Sequence, residues 1–248
     1  MLIERLKRFI TQGDKRSVEA KKNVIGSLLI KVMSIAISLV MVPMTIHYIN
    51  PTQYGIWLTL SSMVAWISFF DIGFTQGLRN RFAEAKAKGD KELARTFVST
   101  AYFFIGLIFM VVWLILLFVN QFIDWGKALN IDQKTAQEVT LLAYIIFTYF
   151  CFQFIFKIIH TILIADQKPA KAVLLDLIGQ AFSLIAIYLL TRFTSGSLLY
   201  LVIALGISPT LVIVGANLYF FKTSYRDYAP SMRYVKKKIY QRHCVPGV

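Results

Sequence analysis

Ionisable side chains lie inside long apolar stretches of this sequence, and they limit the chemistry that the chain could perform. They are Lys31, Asp71, Lys157, His160 and Asp176. A charged group in hydrocarbon costs at least about 2.5 kcal/mol, so it normally faces a protein interior or a water-filled path. These positions therefore predict a polar path through a membrane, of the kind that a transporter uses for its ligand.

Two further polar residues extend this pattern along helix faces. Gln153, Lys157 and His160 are spaced by 4 and 3 residues, and Asp176 and Gln180 by 4, so each set lies on one side of a helix. A lone histidine in an apolar helix is more often a packing residue. Beside a lysine on the same face, a position on the polar path is the better interpretation.

The elements that must hold these residues are membrane-spanning helices. The chain has 248 residues, of which 57% are hydrophobic and only 16% are charged, far more apolar than a soluble domain. Helices of about 20 apolar residues cross a hydrocarbon core of roughly 30 Å. We expect an all-α integral membrane protein with six spans in a lobe of residues 23–221, at about 24–48, 54–78, 97–119, 139–165, 173–191 and 198–221.

The placement of the basic residues predicts the orientation. Although the net charge of +14 could suggest nucleic acid, 22 of the 27 Lys and Arg residues lie at one end of the expected bundle, against Lys127, Lys134 and Arg192 at the other. By the positive-inside rule, both termini are cytoplasmic. We expect no nucleic-acid partner.

The same orientation places the ionisable groups in one layer. At 1.5 Å per residue they lie about 8–14 Å from the cytoplasmic boundary. Two lysines and a histidine against two carboxylates suit an inward-facing vestibule for an anionic, phosphate-bearing group. A Lys31–Asp71 ion pair between the first two spans is expected, either in the path or purely structural.

The flanking segments are basic. Residues 1–22 have the pattern of an amphipathic helix on an anionic membrane surface, and residues 222–248 form a basic cytoplasmic tail or linker that we expect to be truncated.

Two N-terminal caps are predicted: Gly89-Asp90 ends one helix and caps the next, and a capping box at Thr135 to Glu138 opens the fourth span. Cys151 and Cys244 are too few for a disulfide framework.

Several short motifs resemble one transporter family. They are Tyr54-Gly55-Ile56-Trp57, Asp71-Ile72-Gly73, Gly77-Leu78-Arg79-Asn80 and Val98-Ser99-Thr100-Ala101-Tyr102, with the basic tail that contains Tyr225, Arg226, Asp227 and Pro230. The pattern is similar to the N-terminal half of bacterial polysaccharide flippases of the O-antigen, Wzx-type branch, within the multidrug/oligosaccharidyl-lipid/polysaccharide exporter superfamily.

The resemblance implies a multi-pass flippase of the bacterial inner membrane. Such a protein carries undecaprenyl-diphosphate-linked oligosaccharide between leaflets for O-antigen or capsule synthesis, with no bond broken, no cofactor, and H⁺ or Na⁺ as the coupling ion. It has two six-helix lobes, so a second lobe is the missing partner; the polysaccharide polymerase and glycosyltransferases are the other expected partners. The candidate path residues are Lys31, Asp71, Arg79, Lys157, His160, Asp176 and Gln180.

Two alternatives come from other functional classes. An intramembrane enzyme acting on polyprenyl glycans would need a catalytic set, and the sequence has no HExxH, Gly-x-Ser-x-Gly or Walker motif. A multidrug or cation antiporter of the same superfamily would depend on membrane carboxylates, whereas the expected layer is mainly basic. A transporter, not an enzyme, is therefore the favoured interpretation.

Overall fold

The computed structural model describes residues 15–67 and 72–235, and every regular element in these ranges is helical. Helices α1 (Lys15–Tyr48), α2 (Pro51–Ile67) and α3 (Ile72–Ala87) are followed by α4 (Lys91–Asn120) and the short α5 (Trp125–Leu129). Then come α6 (Gln133–Phe156), α7 (Ile158–Ala165), α8 (Pro169–Phe193) and α9 (Leu198–Lys222), with 3₁₀ turns at Arg226–Tyr228 and Met232–Tyr234.

Within the described residues, five helical segments are long and apolar enough to cross a membrane, which is consistent with an all-α membrane protein. They contain 25 to 33 residues, with mean hydropathy from 2.0 to 2.9: Lys21–Tyr48, Lys91–Asn120, Gln133–Ala165, Pro169–Phe193 and Leu198–Lys222. At 1.5 Å per residue even the shortest is about 38 Å long, more than the hydrocarbon core requires. Five of the six expected spans coincide with these helices.

The expected second span, 54–78, overlaps α2 and α3. Residues 68–71, which include Asp71, lie outside the described residues, so a sixth span stays a prediction. At the start of α1, residues 15–22 continue the helix without a break, although the sequence assigns them to a separate interfacial segment. Residues 1–14 of that segment also lie outside the described residues.

Helix α8 is the central packing element: α1 lies against one side of it and α9 against another. Helix α6 packs against both α4 and α9, while α3 packs against α4 and α7. The core is built from fully buried aliphatic side chains on the inner helices, such as Ile159, Ile162, Ile187 and Leu201. In contrast, only 6% of the most apolar stretch of α1 is buried, so α1 presents most of its surface outward.

The helix ends follow local capping rules, with one correction. Gly89 has φ +74° and Asp90 accepts a hydrogen bond from the Leu93 N–H at 2.9 Å, which confirms the predicted stop and cap. The capping box predicted at Thr135 is wrong: α6 begins at Gln133, and Asp132 accepts from the Thr135 N–H at 3.0 Å. The Thr135 hydroxyl donates to Asp132 at 2.7 Å instead of capping, consistent with the stronger N-cap preference of aspartate.

Two polar clusters define the ends of the bundle. At one end, called here the basic end, α3 and α7 finish and α4 and α8 begin. At the opposite end, the buried Asn120 donates through Nδ2 to the Thr140 carbonyl at 3.1 Å and accepts through Oδ1 from Trp125 Nε1 at 2.9 Å. These bonds fix the connection between α4 and α6.

Candidate functional site

A polar cavity of about 350 Å³ lies among five helices of the bundle, α1, α6, α7, α8 and α9. Polar and charged side chains form most of its lining, which is unusual between helices of this hydropathy. The lining residues are Lys31, Ser34, Gln153, Lys157, His160, Val173, Leu175, Asp176, Gln180, Pro209 and Ile213.

Five of the seven candidate path residues meet at this cavity: Lys31, Lys157, His160, Asp176 and Gln180. They come from three helices and the α6–α7 junction, separated by up to about 150 positions along the chain, and the sequence predicts a similar depth for the four ionisable ones. Arg79 is exposed on α3 and does not line the cavity. Asp71, and with it the expected Lys31–Asp71 ion pair, lies outside the described residues.

The cavity wall contains a break in a membrane-spanning helix. Helix α6 ends at Phe156 and α7 begins at Ile158, with Lys157 between them at φ −63° and ψ −13°. The His160 N–H donates to the Lys157 carbonyl, three residues earlier, at 2.9 Å. This is a 3₁₀-type bond, and such short departures from α-helical geometry mark hinges and functional sites. Both residues at the break line the cavity.

Helices α8 and α9 meet closely at the cavity. A Cβ atom added at Gly179 would lie 3.0 Å from the Cβ of Pro209, closer than ordinary van der Waals contact. The glycine therefore lets the proline of α9 approach α8, and Pro209 lines the cavity beside this crossing. Within the described residues, Pro209 lies inside an unbroken helix.

Three cavity groups leave hydrogen-bonding capacity for a ligand or water. The Nδ1 atom of His160 is 3.8 Å from Oδ1 of Asp176, beyond direct hydrogen-bond distance. Among the described residues, Nε2 of His160 and Oε1 of Gln180 are buried without a hydrogen-bond partner. Buried polar atoms are almost always paired, so a ligand or water that enters the cavity can hydrogen-bond to them.

The described residues that line the cavity carry a net positive charge. Lys31 and Lys157 both contribute ammonium groups, and within residues 15–67 and 72–235 neither forms an ion pair. Among the described residues, Asp176 is the one carboxylate in the lining, and its side chain is half exposed. The arrangement can bind an anion through the lysines and hydrogen-bond a polar group through His160 and Gln180.

Sequence reasoning missed two residues behind the cavity wall, Tyr102 and Asn217. The buried Asn217 of α9 donates through Nδ2 to the Phe156 carbonyl at 2.8 Å, and its Oδ1 accepts from the Tyr102 hydroxyl at 2.5 Å. An asparagine in an otherwise apolar span was the signal available in the sequence. Its partner, a backbone carbonyl released by the helix break, could not be read from residue types.

A second charged cluster stabilises the basic end. The carboxylate of Asp166, 9% exposed, accepts hydrogen bonds from Lys86, from Lys168 at 2.5 Å and from the Tyr225 hydroxyl at 2.7 Å. Burial alone would raise the pKa of Asp166, but the hydrogen bonds from Lys168, Lys86 and Tyr225 outweigh it and hold this pKa below its usual value. Burial and the adjacent Asp166 carboxylate together raise the pKa of the Tyr225 phenol.

This cluster also ties the C-terminal segment to the bundle. Lys91 pairs with Asp227 at 2.7 Å, and Arg95 donates to the Ala229 carbonyl at 3.0 Å and lies 4.5 Å from the Tyr234 ring centre. Residues 223–235 are thus packed against the basic end, although the sequence predicts a tail or linker from residue 222. Residues 236–248 lie outside the described residues.

Neither a protein-family model, nor a curated protein, nor a solved structure matches this chain. The cavity lined by Lys31, Lys157, His160, Asp176 and Gln180 is therefore the basis for a functional assignment.

Proposed function

We propose that this chain is one lobe of a bacterial inner-membrane flippase that moves a polyprenyl-diphosphate-linked oligosaccharide between leaflets. The observation that carries the proposal is the basic, polar cavity between membrane-spanning helices. Lys31 and Lys157 suit the diphosphate, since an ammonium group binds phosphate as a compact point charge. His160 Nε2 and Gln180 Oε1, which have no hydrogen-bond partner in the described part of the chain, suit the hydroxyl groups of the first sugar.

The exposure of these groups supports a second lobe as the partner. Lys31, Lys157 and Asp176 are exposed although they belong to apolar, membrane-length helices. Facing lipid would cost each charge several kcal/mol, so the proposed second lobe covers this side of the bundle and encloses the substrate path. Transport would then proceed by alternating access of the cavity to the two leaflets.

One observation favours a second candidate, a multidrug or cation exporter of the same superfamily. The half-exposed carboxylate of Asp176 at the cavity could attract an organic cation. In that case Asp176 would dominate binding, and the two lysines would oppose it.

A binding experiment with two ligands tests the proposal. The purified chain in detergent is titrated with an undecaprenyl-diphosphate-linked trisaccharide and with tetraphenylphosphonium. Lys31→Ala and Lys157→Ala each weaken binding of the lipid-linked glycan about tenfold, because each removes a charge-assisted contact. Lys127→Ala, at a side chain that is 89% exposed beside Asp124, serves as the matched control and leaves binding unchanged.

The outcomes separate the two candidates. If both cavity lysine variants bind the glycan as tightly as the wild type, the flippase proposal is wrong. If Asp176→Asn abolishes binding of tetraphenylphosphonium while the lysine variants strengthen it, the cation exporter is correct.

A further inference from the structure

The break between α6 and α7 releases a backbone carbonyl inside the bundle. In a regular α-helix the Phe156 carbonyl would accept from the His160 N–H. Here that N–H donates to the Lys157 carbonyl instead, and the Phe156 carbonyl accepts from Nδ2 of Asn217 at 2.8 Å. In hydrocarbon, a released carbonyl without a partner would cost several kcal/mol. The hydrogen bond from Asn217 avoids this cost and so stabilises the break.

Both polar atoms of the Asn217 side chain form hydrogen bonds. Its Nδ2 also donates to the Ile213 carbonyl of its own helix at 2.8 Å, and its Oδ1 accepts from the Tyr102 hydroxyl at 2.5 Å. Asn217 is 5% exposed. The result is a fully satisfied network that joins α4, α9 and the end of α6, and such networks hold a unique arrangement.

The 3₁₀-type bond changes which way the cavity residues point. Residues three apart are in line in a 3₁₀ turn, whereas on a regular α-helix they are about 60° apart around the axis. Lys157 and His160 are three apart, and both line the cavity. Closing the break into a regular helix would offset them by about 60° around the axis, although both would stay on the same side of the helix.

We propose that Asn217, oriented by Tyr102, is a positioning residue that keeps the α6–α7 break open and so holds Lys157 and His160 in line with each other at the cavity, without the offset of about 60° that a regular helix would give them. The functional meaning of this role depends on the cavity being the ligand site proposed above. The geometric role does not depend on any ligand.

The chain offers a matched control for this proposal. Asn120 is also buried, also donates to a backbone carbonyl, that of Thr140, and also accepts from an aromatic donor, Trp125 Nε1. It lies at the opposite end of the bundle, away from the cavity lining. Asn120→Leu therefore removes comparable hydrogen bonds without affecting the break.

The test measures the accessibility of position 160 to a thiol reagent. His160→Cys is made in the full chain with Cys151→Ala and Cys244→Ser, and its reaction rate with a sulfonate-bearing methanethiosulfonate is measured in detergent. Adding Asn217→Leu slows this rate about fivefold or more, a factor consistent with hydrogen-bond strengths inside membrane proteins. Adding Asn120→Leu leaves the rate unchanged.

A second pair of variants covers the case in which Asn217→Leu does not yield folded protein. Tyr102→Phe removes only the donor that orients Asn217, and Trp125→Phe removes the equivalent donor to Asn120. We expect a rate decrease of about two- to threefold for the first and none for the second. The proposal is wrong if the two variants of a pair react with the thiol reagent at the same rate. If both rates fall, the asparagines have only a general stabilising role; if both rates stay the same, they have no role.

The measurement is independent of the proposed substrate. If the rates differ as expected but the chain does not bind a lipid-linked glycan, the positioning role stands and the assigned ligand is wrong.

Discussion

Replacing Asp166 by asparagine tests the energetic role of the charged cluster at the basic end. Asp166→Asn keeps the shape of the side chain but removes its charge, and it turns an NH₂ group toward donors that need an acceptor. These donors are Lys86, Lys168 and the buried hydroxyl of Tyr225. The change therefore leaves at least one of these three donors without its acceptor.

The size of the effect follows from the exposure of each partner. A hydrogen bond to a charged group contributes about 1.5–3 kcal/mol when it is buried. Lys86 and Lys168 are 33% and 36% exposed, so water replaces part of their interaction. Tyr225 is only 1% exposed, so water cannot replace the hydrogen bond that its hydroxyl loses. We expect a total loss of about 2 kcal/mol, which for a chain of this size lowers Tm by about 4–8 °C.

The assay is thermal unfolding of the purified protein in detergent, with Glu84→Gln as the control. Glu84 also has two cationic partners, Arg81 at 3.2 Å and Lys88 at 2.7 Å, but it is 47% exposed. We expect a Tm close to that of the wild type for this variant, because exposed ion pairs contribute little. A similar Tm for Asp166→Asn and Glu84→Gln would refute the reasoning from burial.

The same variant predicts a pH dependence. The pKa of Asp166 is lower in the folded protein than its ordinary value of about 4. Its contribution to stability is thus complete above that value and is lost as the pH falls through the lower pKa of the folded state. The Tm difference between wild type and Asp166→Asn should be constant from pH 8 to pH 5 and should shrink below about pH 4.

Two further predictions concern packing within the membrane-spanning helices. A Cβ atom at Gly206 would collide with the ring of Tyr149, whereas one at Gly215 would meet nothing within 4 Å. Gly206→Ala should therefore lower Tm, and Gly215→Ala should not. Equal Tm values for the two variants would contradict the close contact. Cys151 is buried, 3% exposed, so in a Cys244→Ser background a membrane-impermeant thiol reagent should react with it only after denaturation, and labelling of the folded protein would contradict this burial.

The helices were predictable because each needs only a local property, an apolar length that matches the membrane. Five spans coincide with the expected positions for this reason. The cavity was partly predictable from a similar argument. A charged residue such as Lys157 inside an apolar stretch normally faces the protein interior or a water-filled path. Its partners on α1 and α8 share a predicted depth, and depth can be read from the distance along the helix to a basic boundary.

The network behind the cavity could not be predicted, because it depends on tertiary contacts. Asn217 is 61 residues from Phe156 and 115 from Tyr102 along the chain, and nothing in either local sequence reveals the pairing. The start of α6 was missed for a different reason. Two overlapping N-cap patterns, at Asp132 and Thr135, compete there, and the order of their strengths decides the helix boundary.

The contact between α1 and α8 has a consequence for how the chain is made. Helix α1 packs mainly against α8, and the chain between Tyr48 and Pro169 must be synthesised before that partner exists. At about 5–20 residues per second, these roughly 120 residues take on the order of ten seconds. During that interval α1 lacks its main packing partner, and Lys31 lacks the cavity residues that α8 contributes. The cavity is thus completed only late in synthesis, when α8 brings Asp176 and Gln180 beside a lysine that was inserted first.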